Sequence, residues 1–173
     1  MIRILKQIFR TGIVTEPVSP VTDPEIEKIG VQLEETIRRR FHRSLTIRQV
    51  DAGSCNGCEL EIHALNNVFY NCEKYGIHFT ASPRFADLLL VTGPVTHNME
   101  IALKRTYNAT PSPKIVVAVG DCGSNGGVFG EGYASLGGID KVIPVDAVIP
   151  GCPPTPLALL QGLLMAVKNA PRT

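Results

Sequence analysis

Two apolar runs constrain this chain more than any other feature: LLLV at 88–91 and IVVAV at 115–119. Neither alternates with polar residues, as a strand with one wet face must. Strands without alternation are buried on both faces, and such strands belong to parallel sheets clad by helices. The flanking sequence agrees from residue 45 onward. Strands are expected at 45–50, 77–82, 88–93 and 114–120, with a shorter one at 141–146, and helices at roughly 57–72, 95–108 and 155–168. Alternation of this kind predicts an α/β fold with a doubly wound parallel sheet. Ligands of such sheets sit beyond the carboxyl ends of the strands. With 173 residues the chain is long enough for one domain with a substantial core.

Residues 1–44 read differently, as an amphipathic helix, a linker and a second helix, ahead of the α/β domain at 45–173. In MIRILKQIFRTG, residues Ile2, Leu5, Ile8 and Phe9 share one helical face, opposite Arg3, Lys6, Gln7 and Arg10, and Gly12 is a stop. A helix so short is marginal in water, so it should dock, either on its own domain or as a basic foot on a membrane subunit or bilayer surface. A linker with Pro17 and Pro20 follows. Asp23 then caps, and Pro24 starts, a helix whose stripe is Ile26, Ile29, Leu33, Ile37 and Phe41. Arg38, Arg39 and Arg40 suit the negative end of its dipole.

A net charge of +1 gives no reason to expect a nucleic-acid partner. No apolar run approaches the roughly 20 residues that span a bilayer. The N-terminus has no secretory pattern, so an intracellular protein is expected. The five cysteines then read as metal ligands or redox groups before disulfides.

Their positions sharpen that reading. Cys55 and Cys58 lie in DAGSCNGCELE just after the first strand, Cys122 lies in GDCGSNGG after the strand at 114–120, and Cys152 lies in VIPGCPPTP after the last short strand. Three loops thus bring four thiols to one sheet edge. Four thiolates hold either zinc or an iron–sulfur cluster. Structural zinc usually takes two close pairs, whereas here one pair joins two isolated ligands, which suits a 4Fe–4S cube better. A redox dithiol accounts for Cys55 and Cys58 and leaves the other two idle. Spacing alone favours the cluster and leaves zinc and dithiol open. Glycines crowd the same loops, where backbone N–H groups approach sulfur closely. Cys72 falls near the end of the helix expected from 57, far from these loops, and reads as a buried, inert thiol. GDCGSNGGVFGEG lacks the dinucleotide-loop spacing, and no P-loop lysine follows it, so nucleotide binding is not expected.

At GSCNGCELE, SPRFADLLLVTGPVT, VGDCGSNGGVF and VIPGCPPTP the chain resembles the small subunit of group 4 membrane-bound NiFe hydrogenases, the formate hydrogenlyase and hydrogenase-4 types, which are homologous to the 20-kDa subunit of respiratory complex I. The likeness runs over about residues 45 to 168. It implies a flavodoxin-like fold and one 4Fe–4S cluster, proximal to the active site, ligated by Cys55, Cys58, Cys122 and Cys152. The first motif separates its cysteines by Asn56 and Gly57, as in hydrogenases, whereas complex I subunits carry them adjacent. Periplasmic uptake enzymes have a twin-arginine signal and a further cluster domain, neither of which is expected here.

The resemblance implies a non-catalytic relay inside an oxidoreductase complex on the cytoplasmic side of the cell membrane. Its partners would be a ferredoxin-like iron–sulfur subunit, a large subunit holding the NiFe centre, and integral membrane subunits. A complex I-like quinone or sulfur reductase is the alternative in the same superfamily, and a zinc-stabilised scaffold or assembly protein the alternative outside it. By family position Arg84 would lie near the cluster edge, tuning its potential or meeting a partner carboxylate, unless it forms an ordinary surface salt bridge. Glu59 and Glu61 follow Cys58 where negative charge suits the helix dipole, or one of them carries protons near the large subunit. His63, four residues after Glu59, is placed to pair with it or simply to face a neighbour.

Overall fold

The computed structural model describes residues 2–12 and 23–170, so the linker around Pro17 and Pro20 lies outside the described residues. Five parallel strands form the main sheet: β1 (Leu45–Asp51), β2 (Ile77–Phe79), β3 (Leu88–Thr92), β4 (Ile115–Val119) and β5 (Ala147–Ile149), in the spatial order β2-β1-β3-β4-β5. That is the flavodoxin-like strand order, with its switch point between β1 and β3. Register runs Leu88↔Ile47 and Leu88↔Ile115, so the carboxyl ends of β1, β3 and β4 line up at Asp51, Thr92 and Val119. A small antiparallel pair, 95–96 with 135–137, lies outside this sheet.

The unbroken apolar runs are explained by two cores, one on each face. Leu88 and Leu90 of β3 and Val117 and Val119 of β4 point into the first core, with Ile26, Leu33 and Ile37 and with Leu159, Leu160 and Leu163. Leu89, Val91, Val116 and Ala118 point into the second, with Leu103, Ile139 and Ile143. Every residue of β3 and β4 is buried. The helices are α1 (Ile2–Thr11), α2 (Pro24–Phe41), α3 (Gly57–Ala64), α4 (His97–Ala109), α5 (Gly120–Asn125) and α6 (Pro156–Asn169). Asp23 caps α2 as expected, its carboxylate accepting from the Glu25 N–H at 2.9 Å. Thr155 caps α6 by accepting from Ala158 N–H at 3.3 Å. Arg40 donates to the Val167 carbonyl at 2.8 Å and to that of Ala170, closing the C-terminal end of α6.

Three elements differ from the sequence reading, the first being β2, expected to run to residue 82 and ending at Phe79. The expected helix at 57–72 stops at Ala64, because the Asn67 side chain accepts from the Phe69 and Tyr70 N–H groups at 2.9 Å each and so offers the backbone a turn instead of a helix. Cys72 therefore starts a separate 3-10 turn, Cys72–Tyr75. The last strand is not at 141–146 but at Ala147–Ile149. Pro144 has no N–H to give a ladder, and the Asp146 carboxylate accepts from Val116 N–H at 2.8 Å, which ends the loop before pairing starts at Ala147↔Val117.

Candidate metal centre

All four expected ligands sit at the carboxyl edge of the sheet. Cys55 and Cys58 follow β1, Cys122 is in α5 directly after β4, and Cys152 follows β5. The loops are shaped by aspartates at strand ends. Asp51 accepts from the Gly53 and Ser54 N–H groups at 2.7 Å each, turning the chain ahead of Cys55. Asp121 N–H donates to the Gly151 carbonyl and Gly151 N–H donates to the Asp121 carboxylate, both at 2.9 Å. That reciprocal pair ties the Cys122 segment to the loop of Cys152.

Two glycines give the sulfurs room. Gly120 has φ +80°, and a Cβ there would stand 2.7 Å from Cys58 Sγ; Gly127 has φ +53°, and its Cβ would stand 2.6 Å from Cys122 Sγ. A side chain at either position would therefore occupy the space of a candidate ligand.

The thiols are free, with Cys55 and Cys152 exposed, Cys58 half-buried and Cys122 buried. They also act on one another. Burial, then the Glu59 carboxylate, then Cys122, Cys55 and Cys152 push the Cys58 thiol up to about 12. Cys122 is raised by burial and by Cys152, Cys55 and Asp121, against a lowering hydrogen bond from the Val128 backbone. Cys58 and Cys122, each pushed up first by burial and then by neighbouring acidic groups, resist ionising by themselves. A cationic iron core held by these sulfurs would reverse that balance, because thiolate is the ligand form and metal binding displaces its proton. The donor set is all sulfur. Among the described residues, no three His, Cys, Asp or Glu side chains are arranged to hold a single metal ion. An all-sulfur donor set is that of a thiolate-ligated iron–sulfur cluster, and structural zinc takes it too.

The remaining candidates separate. Glu59 is buried, one carboxylate oxygen accepting from the Thr92 hydroxyl and the other without a hydrogen-bond partner among the described residues, and it makes no pair with exposed His63. Glu61 is half-buried on α3. Arg84 does not reach the cysteine edge. It lies in the 3-10 turn Pro83–Phe85 that enters β3, and lines a groove of about 700 Å³ with Arg43, Thr46, Asp87 and Pro113. These residues stand at the amino ends of the strands, opposite the cysteines, because a parallel sheet sends all its strand entrances to one edge. Cys72 is fully buried in the first core, its thiol 3.2 Å from Asn66 Oδ1. The functional residues that sequence reasoning missed are Asp51, Asp121 and Thr92. Their signal was a polar residue closing an apolar strand or following one directly.

Residues 55–166 match the family described as NADH ubiquinone oxidoreductase, 20 kDa subunit. The chain belongs to that family. The match begins at the first candidate ligand and takes in the other three, and it makes the chain a subunit of the oxidoreductase class. Formate hydrogenlyase subunit 7 of Escherichia coli is 42% identical over 151 residues, covering 87% of this chain and 58% of that protein. The chain thus spans less than two thirds of that relative's length. The probable membrane-bound hydrogenase subunit mbhJ of Pyrococcus furiosus is 46% identical over 127 residues, 73% of this chain and 76% of that one. Among solved structures, a chain of the membrane-bound sulfane sulfur reductase, an archaeal respiratory membrane complex, superposes with a TM-score of 0.65 at 36% identity, covering 79% of this chain and 74% of that chain. No helix among the described residues is long and apolar enough to cross a membrane. Of these relatives, the Pyrococcus furiosus subunit and the sulfane sulfur reductase are described as membrane-bound.

Proposed function

We propose that this chain is the electron-transfer small subunit of a membrane-bound NiFe hydrogenase on the cytoplasmic face of the membrane, with Cys55, Cys58, Cys122 and Cys152 holding one 4Fe–4S cluster. The observation that carries the reading is the meeting of four thiols from three loops at the carboxyl edge of a parallel sheet, where each of the other three acts on Cys58. Such a cluster supplies one-electron transfer at a potential set by charge, hydrogen bonds to sulfur and exposure. The chain's own residues fix those three. The Val128 amide bonds toward Cys122, Glu59 places a carboxylate beside Cys58, and the exposed Cys55 and Cys152 leave one side of the site open to a neighbour. Val128, Phe129 and Tyr133 are apolar and exposed on the loop that follows Cys122. They suit burial against the large subunit that carries the NiFe centre, while a ferredoxin-like subunit delivers electrons.

A second reading has one specific support, the likeness to the sulfane sulfur reductase chain. In it the same relay serves a nickel-free reductase. Purifying the native complex without oxygen separates the readings. The hydrogenase reading expects nickel, together with hydrogen evolution from a reduced low-potential donor. Iron and sulfide in the complex without nickel, with reduction of sulfane sulfur, would replace it by the second. Stoichiometric zinc on this chain in place of iron would end both.

A further inference from the structure

Helix α1 is absorbed neither by the core nor by the metal centre. None of its residues is buried, and Phe9 is 87% exposed. At about 100° per residue, Ile2, Ile4, Leu5, Ile8 and Phe9 all fall within an arc of about 160°, and Arg3, Lys6, Gln7, Arg10 and Thr11 fill the opposite arc. No side chain lies on the wrong side. The three charged residues are all basic, with no acidic residue in the helix. Gly12 leaves the helix at φ +66°, and ten residues then lead to the cap of α2.

We infer that α1 is an in-plane anchor for an anionic lipid surface. The inference deepens the peripheral-membrane part of the reading above and needs neither the cluster nor the large subunit. Two observations favour lipid over a protein groove. A groove takes a stripe of anchors at i, i+3 or i+4, and i+7, whereas here nearly half the circumference is apolar, the profile of a helix lying at the headgroup boundary. Next, Lys6 borders the apolar arc and Arg3 and Arg10 stand above it, so all three charges face headgroups when the apolar arc is immersed. Anionic headgroups complement such a face; a neutral surface leaves it unpaired. A single short helix holds the membrane reversibly, so α1 adds to the attachment of the complex and does not replace it.

The test uses the full chain and needs no loaded cluster. The sequence has no tryptophan, so Phe9→Trp creates a single emitter on the apolar arc. Vesicles of phosphatidylcholine with a third phosphatidylglycerol should shift its emission to the blue and sediment the protein, and pure phosphatidylcholine should do neither to the same degree. Each basic residue near such a surface contributes a factor of about 5, so combining Arg3→Gln, Lys6→Gln and Arg10→Gln should weaken partition about 100-fold. Raising salt from 0.1 to 1 M, which shortens the screening length from about 10 to about 3 Å, should release the wild type. Ile8→Ser with Leu5→Ser should abolish binding to both vesicles. None of these side chains is buried, so the variants leave the domain folded, as circular dichroism will confirm. Equal binding to neutral and anionic vesicles would overturn the inference. So would no binding to either, including the case where the chain sediments only with membranes that contain the integral subunits. A chain that binds anionic vesicles but takes up no iron and sulfide on anaerobic reconstitution would sink the relay reading and leave this one standing.

Discussion

Replacing Gly120 by alanine tests the metal centre where backbone and ligand touch. Two costs add. The first is conformational: φ is +80°, and an L-residue in the left-handed region loses about 1–2 kcal/mol. For a domain of this size that is a fall in Tm of about 2–8 °C. The second is steric: the new Cβ would stand 2.7 Å from Cys58 Sγ, against about 3.5 Å or more for a normal contact, so the sulfur must recede by about 1 Å. A binding constellation tolerates about 0.5 Å. Gly76 isolates the first cost, since its φ is +77° and a Cβ there would meet nothing within 4 Å. Gly76→Ala should therefore lose the few degrees and keep its iron, measured by differential scanning calorimetry and metal analysis under anaerobic conditions. Gly120→Ala should lose at least as much Tm and also bind less iron or give an altered paramagnetic resonance spectrum. If Gly120→Ala keeps full iron and an unchanged spectrum while losing only what Gly76→Ala loses, Cys58 is not a ligand held against that backbone.

Cys122→Ser should remove or convert the cluster; unchanged iron content and spectrum would reject the ligand assignment. Cys72→Ala should leave iron and spectrum untouched, and should also flatten the alkaline loss of stability. Burial, with the Glu73 charge second, pushes the Cys72 thiol up to about 11, so its contribution is complete below about pH 9 and is lost as pH rises toward 11, by up to about 3 kcal/mol. Equal denaturation slopes for wild type and variant across that window would count against it. Thr92→Val should cost about 1–3 kcal/mol by leaving the buried Glu59 carboxylate without a donor, and Thr92→Ser should recover most of that; a valine variant as stable as the serine one in urea would refute the pairing.

How much of this was legible in the chain depends on the range of the interactions that decide it. Runs 88–92 and 115–119 were readable because burial on both faces writes itself into consecutive residues. Their ends were right within about a residue. Capping at Asp23 and Thr155 was readable because the donor lies two or three positions on. Helix 57–72 failed because a local competitor, the Asn67 turn, was overlooked. The last strand failed for a long-range reason, since its start is set by Asp146 meeting Val116 thirty positions away. Arg84 was carried to the wrong edge by motif position; the direction of β3 sends residues 83–85 to the amino end. Within residues 1–44, α1 has no buried residue, while α2 puts Ile26, Leu33 and Ile37 in the first core.

The strands divide the work of the molecule by direction. Their interiors supply the sheet side of two apolar clusters that helices cover, and to those clusters Cys55 and Cys152 contribute nothing and Cys58 only an edge. Loops leaving the carboxyl ends carry almost no core, so their residues are free to be glycine, aspartate and cysteine without weakening the sheet. Aspartates 51 and 121 do there what ladder hydrogen bonds do inside the sheet, holding the loops by backbone N–H groups. The segments that carry the candidate ligands are thus held by hydrogen bonds of the protein itself. That separates this site from small zinc domains, in which metal binding is the folding energy.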